Sequence, residues 1–373
     1  MSEKFPENGM DVSDNLDVTI RQYSPDELPD LYKNESYDEV TTAVQRLMDK
    51  GFHGNNNIAD AIARKRKRGN FDPNNLSTQL IEEMVDGSEH WIRLIPKAAA
   101  LDPVYNPEVE TLANGYPVTP KMREWLRNVH DAIGLRSRAE LMIQLITKEV
   151  LNSSDNQQRW ASLACGAAQP VYDAMTRLSE AGNVIPEVTL VDHDTEALAL
   201  AAKTAKEKGL SQQVHTQKMN ILKPEGLTAP ILVDKVAQSL GKRVKLPSDS
   251  FDIVDAVGIL EYLGNDNFVK NFEYGGVIKS KRTFAGAPTF LKNAYEITKP
   301  GGLLLVGNML DTHPQLGFTL NTLQWSHIQP RSIGEMVGVI DSAGLNGAEV
   351  EVHCPDDGVY ALYAIRKSPK DVH

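Results

Sequence analysis

The hydrophobic pattern of this chain is a relay of short apolar runs, each closed by small or polar residues. Residues 160–164 (WASLA) make one run of strand length, and it ends in a turn of small residues, Cys165, Gly166, Ala167 and Ala168. A stretch with helical spacing follows, then a second apolar strand at 188–191 that stops on Asp192. Strand, small-residue turn, helix and strand form the front half of a nucleotide-binding βαβ unit. Small side chains let a ligand approach the backbone, and the start of the helix presents unpaired N–H groups. A carboxylate at the next strand end can accept hydrogen bonds from both hydroxyls of a ribose. The pattern therefore predicts a ligand that carries a ribose, with Asp192 as its acceptor and Asp194 as the cap of the next helix.

The same reading divides the rest of the chain. Residues 1–23 are rich in Asp, Glu, Asn and Ser and predict a mobile tail. Residues 24–128 predict a helical subdomain or lid: 37–50 and 77–86 place apolar residues at helical spacing, and Ser77 is a candidate cap for the second. A second, larger domain, 129–373, opens with a helix over 137–150. At its far end, 348–354 and 359–366 are alternating strands joined by Pro355-Asp356-Asp357-Gly358, a strong hairpin signal.

The turn also says which ribose ligand to expect. A dinucleotide site uses G-x-G-x-x-G so that a pyrophosphate can sit on the helix start. This chain has only Gly166, with Ala164 and Ala168 at the flanking positions, which disfavours a nicotinamide-dependent oxidoreductase. SLACGAA followed by LVDHD instead resembles the first two motifs of class I S-adenosylmethionine-dependent methyltransferases. Three further segments fit that family in order: QKMNIL (217–222), FDIVDAVGILEYL (251–263) and ITKPGGLLLVGN (297–308). The family closes its sheet with an antiparallel C-terminal pair like the one read here.

The resemblance implies an α/β fold: a Rossmann-like, seven-stranded, mostly parallel sheet with a C-terminal antiparallel hairpin, plus the helical N-terminal extension. It implies S-adenosylmethionine as cofactor, held by Ser162, Ala164, Cys165, Gly166, Asp192 and His193. Met219, Asn220 and Ile221 would lie at the adenine, and Val257 and Gly258 would lie beyond the fourth strand. Glu261 and Tyr262 would face the transferred methyl. Arg138 stands where a basic or polar group can reach the cofactor's carboxylate. Two departures stand out: Ser162 replaces the usual acidic residue of the first strand, and Ala164 and Ala168 replace usual glycines. They support an alternative, a catalytically silent binding or regulatory module that keeps the fold.

Composition changes the picture only at its edges. The chain has 373 residues, 41% hydrophobic, and a net charge of −11. It is long enough for a large core and has no global basic field to recruit nucleic acid. A small-molecule substrate is the expected partner. The polar region 308–331 concentrates Asn308, Asp311, His313, Trp325, His327 and Arg331 and predicts a substrate-pocket wall, with His313 and His327 as candidate bases. The basic run 64–68 reads as a solvated helix end. The two cysteines, Cys165 and Cys354, have no paired or metal-ligand spacing, and no apolar run approaches membrane-spanning length. A cytoplasmic location is expected.

Overall fold

A computed structural model describes residues 16–24, 27–28, 37–49, 85–95, 98–155, 157–224, 226–228, 246–274, 277–321, 323, 325 and 328–369. The basic run 64–68, most of the helix expected over 77–86, and His327 lie outside the described residues.

In chain order the strands are β1 (Asp17–Tyr23), β2 (Arg159–Leu163), β3 (Glu187–Asp192), β4 (Val214–Lys218) and β5 (Phe251–Ala256). They continue with β6 (Phe268–Tyr274), β7 (Val277–Phe284), β8 (Thr298–Met309), β9 (Glu349–Pro355) and β10 (Tyr360–Arg366). The helices are α1 (Tyr37–Leu47), α2 (Ser88–Ile92), α3 (Asp102–Tyr105), α4 (Pro120–Asn128) and α5 (His130–Asn152). After them come α6 (Gln169–Glu180), α7 (Thr195–Glu207), α8 (Ala287–Ile297), α9 (Leu316–Asn321) and α10 (Ile333–Ser342).

Eight strands form one sheet in the order β1-β9-β10-β8-β5-β2-β3-β4. All pairs are parallel except those of β10, which runs antiparallel to both β8 and β9. The C-terminal hairpin is thus present, but the strand count is eight rather than the expected seven. The extra strand, β1, comes from the segment expected to be tail. Its side chains are mostly exposed, so a reading based on hydrophobic burial passes over it. Its parallel ladder with β9 holds it, and its last residue, Tyr23, is buried and shares a 2.9 Å hydrogen bond with Nδ1 of His353.

Side chains of alternate strand residues feed the two faces of the sheet. Ala161 and Leu163 of β2 join a core with α8 and α10, while Trp160 joins the opposite core with α5, α6 and α7. A third cluster lies at one end. It unites Trp91, Ile92, Trp125 and Leu126 with Met309, Phe318, Trp325 and Tyr360, so residues from before position 128 share a continuous core with those after β8. The helix expected at 137 begins earlier, at His130, and passes close over the C-terminal hairpin. A Cβ on Gly134 would come within 2.4 Å of Val359, so glycine there permits the approach at the modest cost of an interior helix glycine.

One element had no counterpart in the sequence reading. β6 and β7 pair antiparallel as a separate two-stranded sheet, with Phe268 and Phe284 stacked at its base, ring centroids 5.2 Å apart. No helix among the described residues is long and apolar enough to cross a membrane.

Candidate functional site

The chain runs outward from β2 through β3 to β4, then returns to place β5 on the other side of β2. Such a reversal leaves a crevice at the carboxyl ends of the strands. A cavity of about 610 Å³ lies there, lined by the exits of β2, β3 and β5, by α5, and by Ile95 with residues of 100–105.

The turn after β2 carries the geometry that its composition put in question. Ala164, Gly166 and Ala168 have φ of 52°, 54° and 58°. Left-handed backbone costs an L-residue roughly 1–2 kcal/mol, so both alanines accept strain to keep a conformation that glycine adopts freely. Among the described residues only Asp249 joins them as a non-glycine with positive φ. Backbone strain is thus concentrated at the mouth of this cavity.

Asp192, 7% exposed, ties the turn to β3. Its Oδ2 accepts from the Gly166 N–H at 3.0 Å and its Oδ1 from the Asp194 N–H at 2.9 Å. A carboxylate has about four acceptor positions, so Asp192 retains capacity for two more donors. Asp194 caps α7 as expected, accepting from the Glu196 N–H at 2.8 Å. His193 lines the cavity with a largely exposed ring 3.2 Å from Asp192. Burial pushes the Cys165 thiol far up, so it stays protonated.

On the floor, Ser162 of β2 and Asp255 of β5 are register partners and both line the cavity. Asp255 accepts from Trp160 Nε1 at 2.6 Å and from Ser162 Oγ at 3.1 Å. Burial pushes its carboxyl up to about 7, with these two bonds pulling the other way.

The far side begins where β5 ends. Val257, Gly258, Ile259, Glu261 and Tyr262 line it, the last two on a short 3-10 turn, Leu260–Tyr262. Arg138 reaches over from α5 to pair with Glu261 at 3.3 Å, the two side chains only 6% and 3% exposed. The Arg138 guanidinium also sits 4.4 Å from the Tyr360 ring centroid. Oε2 of Glu261 has no hydrogen-bond partner among the described residues. Burial raises the Glu261 carboxyl, with Arg138 opposing. Trp325 Nε1 donates to the Tyr262 hydroxyl at 2.7 Å and fixes that ring, while burial raises its phenol. Ile95, Leu101 and Tyr105 complete an apolar and aromatic wall.

The structure thus brings together Ser162, Ala164, Cys165, Gly166, Asp192, His193, Val257, Gly258, Glu261 and Tyr262. Met219, Asn220 and Ile221 do not line the cavity, although the Met219 N–H donates to the Asp192 carbonyl at 2.9 Å. β4 is the outermost strand at its end of the sheet, Met219 and Ile221 are buried in the hydrophobic core, and Asn220 accepts from the Leu222 N–H at 3.0 Å. His313 is also outside the cavity. It is buried beside Asp131, at 3.3 Å, and accepts from the Gln315 N–H at 2.9 Å, which makes it part of a closed polar network with Thr319. Asn308 and Arg331 pair with each other at 2.8 Å, and among the described residues of 308–331 Trp325 alone lines the cavity. The reading of the sequence overlooked Asp255, although a carboxylate inside the apolar run 253–257 is a visible signal. It also overlooked Ile95, Leu101 and Tyr105, whose pattern carries no such mark.

No protein-family model matches the chain, and no curated protein matches it by sequence. Among solved structures, a Bordetella parapertussis protein described as a possible exported protein superposes with a TM-score of 0.54 at 13% identity, over 90% of this chain and 97% of its own. That likeness shows a shared fold. The CurJ carbon methyltransferase gives a TM-score of 0.45 at 11% identity, covering 80% of this chain and 72% of its own. The S-adenosylmethionine-dependent methyltransferase SibL gives 0.43 at 15%, covering 79% and 73%.

Proposed function

We propose that the protein is an S-adenosylmethionine-dependent methyltransferase acting on an O, N or C nucleophile of a small molecule. The observation that carries the reading is the junction of the turn at Gly166 with Asp192. Backbone there is held open to a ligand by strained left-handed residues, beside a buried carboxylate with unused acceptor capacity.

The residues fit the cofactor. Asp192 would accept the ribose hydroxyls, the turn 164–168 would lie against the nucleoside, and Val257 and Gly258 would flank it from β5. No cradle for a pyrophosphate is needed, in keeping with alanines at two of the three small positions. When bound, S-adenosylmethionine supplies an electrophilic methyl on a good leaving group. The protein's task is then to hold the nucleophile in line, where proximity and orientation supply much of the rate. Tyr262, Trp325, Tyr105 and Leu101 form a wall for an acceptor's apolar body, and Glu261, with one unpartnered oxygen, is placed to take its proton. Two free thiols, Cys165 and Cys354, support placement in a reducing, cytoplasmic compartment.

Calorimetric titration of the full chain with S-adenosylmethionine, S-adenosylhomocysteine and NADH tests the reading. Micromolar binding of the first two and none of the third is expected. Failure of both to bind would refute it, and binding with no transfer over a broad acceptor panel would favour the silent-module alternative.

A further inference from the structure

The cavity floor holds a buried carboxyl that no cation among the described residues partners. Asp255 is 4% exposed and lines the cavity. Its hydrogen-bond partners, the Trp160 indole and the Ser162 hydroxyl, are neutral. Arg138, which lines the same cavity, is already paired with Glu261. Removing a lone carboxylate from water costs several kcal/mol when nothing of opposite charge is beside it. Two neutral donors leave about two of its four acceptor positions unused. An enclosed, under-coordinated carboxylate of this kind is suited to a cationic hydrogen-bond donor delivered by a ligand.

Its place in the sheet says which part of the ligand that is. Asp255 sits on β5 in register with Ser162 on β2, while Asp192 ends β3 on the far side of β2. Two inter-strand spacings separate β3 from β5, roughly 10 Å. A nucleoside whose ribose is held at Asp192 therefore brings the end of a substituent several bonds long to Asp255. We propose that the Asp255 carboxylate is the receptor for the primary ammonium at the amino-acid end of the bound nucleoside. This inference rests on the cofactor reading above and adds a residue to it.

Binding measurements on the full chain separate the two. The probes are S-adenosylhomocysteine, which carries the ammonium, and 5′-methylthioadenosine, which keeps the adenosine and thioether but lacks the amino acid. Asp255→Asn should weaken S-adenosylhomocysteine at least tenfold and leave methylthioadenosine within about twofold. Equal losses for both ligands would make Asp255 a support of the floor and overturn the proposal, as would no loss for either. Should the variant fail to fold, the unaltered protein decides: S-adenosylhomocysteine should bind at least tenfold more tightly than its deaminated analogue, and equal affinity would overturn the assignment. If the unaltered protein bound neither nucleoside, the cofactor reading would fall and this inference with it.

Discussion

The half of the cavity assigned to the cofactor comes from the exits of three adjacent strands, at 162–168, 192–194 and 255–258, whereas the half assigned to the acceptor joins Ile95, Leu101, Tyr105, residues 259–262 and Trp325. In the first half, geometry is imposed locally: left-handed dihedrals set the turn, parallel register sets the spacing, and Asp192 bonds the two together. In the second, the polar side chains are placed by distant partners, as Tyr262 is by Trp325 and Glu261 by Arg138. Changes in the two halves should therefore separate, the first acting on affinity and the second on turnover.

The largest effect is expected at Asp192. Asp192→Ala removes acceptors for two hydroxyls, at about 1.5–3 kcal/mol per charge-assisted bond, so Kd for S-adenosylhomocysteine should rise a hundredfold or more by calorimetry. An unchanged Kd would move the ribose elsewhere. A pH dependence of stability comes next, from Asp255. Its carboxyl releases its proton near 3.8 when unfolded and near 7 when folded. Between those values the native state holds more protons, so this group's contribution is full below about pH 4 and is lost as pH rises toward 7. The span corresponds to an upper limit on the order of 4 kcal/mol. Asp255→Asn should flatten that slope in denaturant titrations run from pH 4 to 7, and an identical slope in the variant would exclude Asp255 as its source.

The acceptor half is probed by Glu261→Gln. Loss of a general base costs about 10² in rate or more, so turnover of the first acceptor found by a screen should fall by that factor while S-adenosylhomocysteine affinity holds. A parallel fall in affinity would place Glu261 against the cofactor instead. The smallest effect is a gain. Ala164→Gly relieves a left-handed alanine and should raise stability by about 1 kcal/mol, read as a higher denaturation midpoint. A loss would mean that the alanine methyl is needed for packing.

The same contrast explains what could be read in advance. Gly166, Asp192 and Asp194 were legible because a strand end, a small-residue turn and a cap are set by neighbours in sequence. Strand β1 was not, because its parallel ladder to β9, rather than apolar burial, holds it. His313 and Arg331 showed chemical type but not direction, and folding turned both into closed networks away from the cavity. Met219 and Ile221 were read at the adenine; their side chains join the core, while the Met219 N–H reaches the Asp192 carbonyl.

By itself the sequence determined the alternation of strands and helices, the C-terminal hairpin and the turn at Gly166, because period, composition and backbone preference act over a few residues. Only the tertiary structure decided that Asp255 would lie beside Ser162, that Glu261 would pair with Arg138, and that Ile95, Leu101 and Tyr105 would wall the cavity. Those neighbours are brought together by sheet order and by a core shared across the chain, and no local pattern encodes a contact between residues more than ninety positions apart.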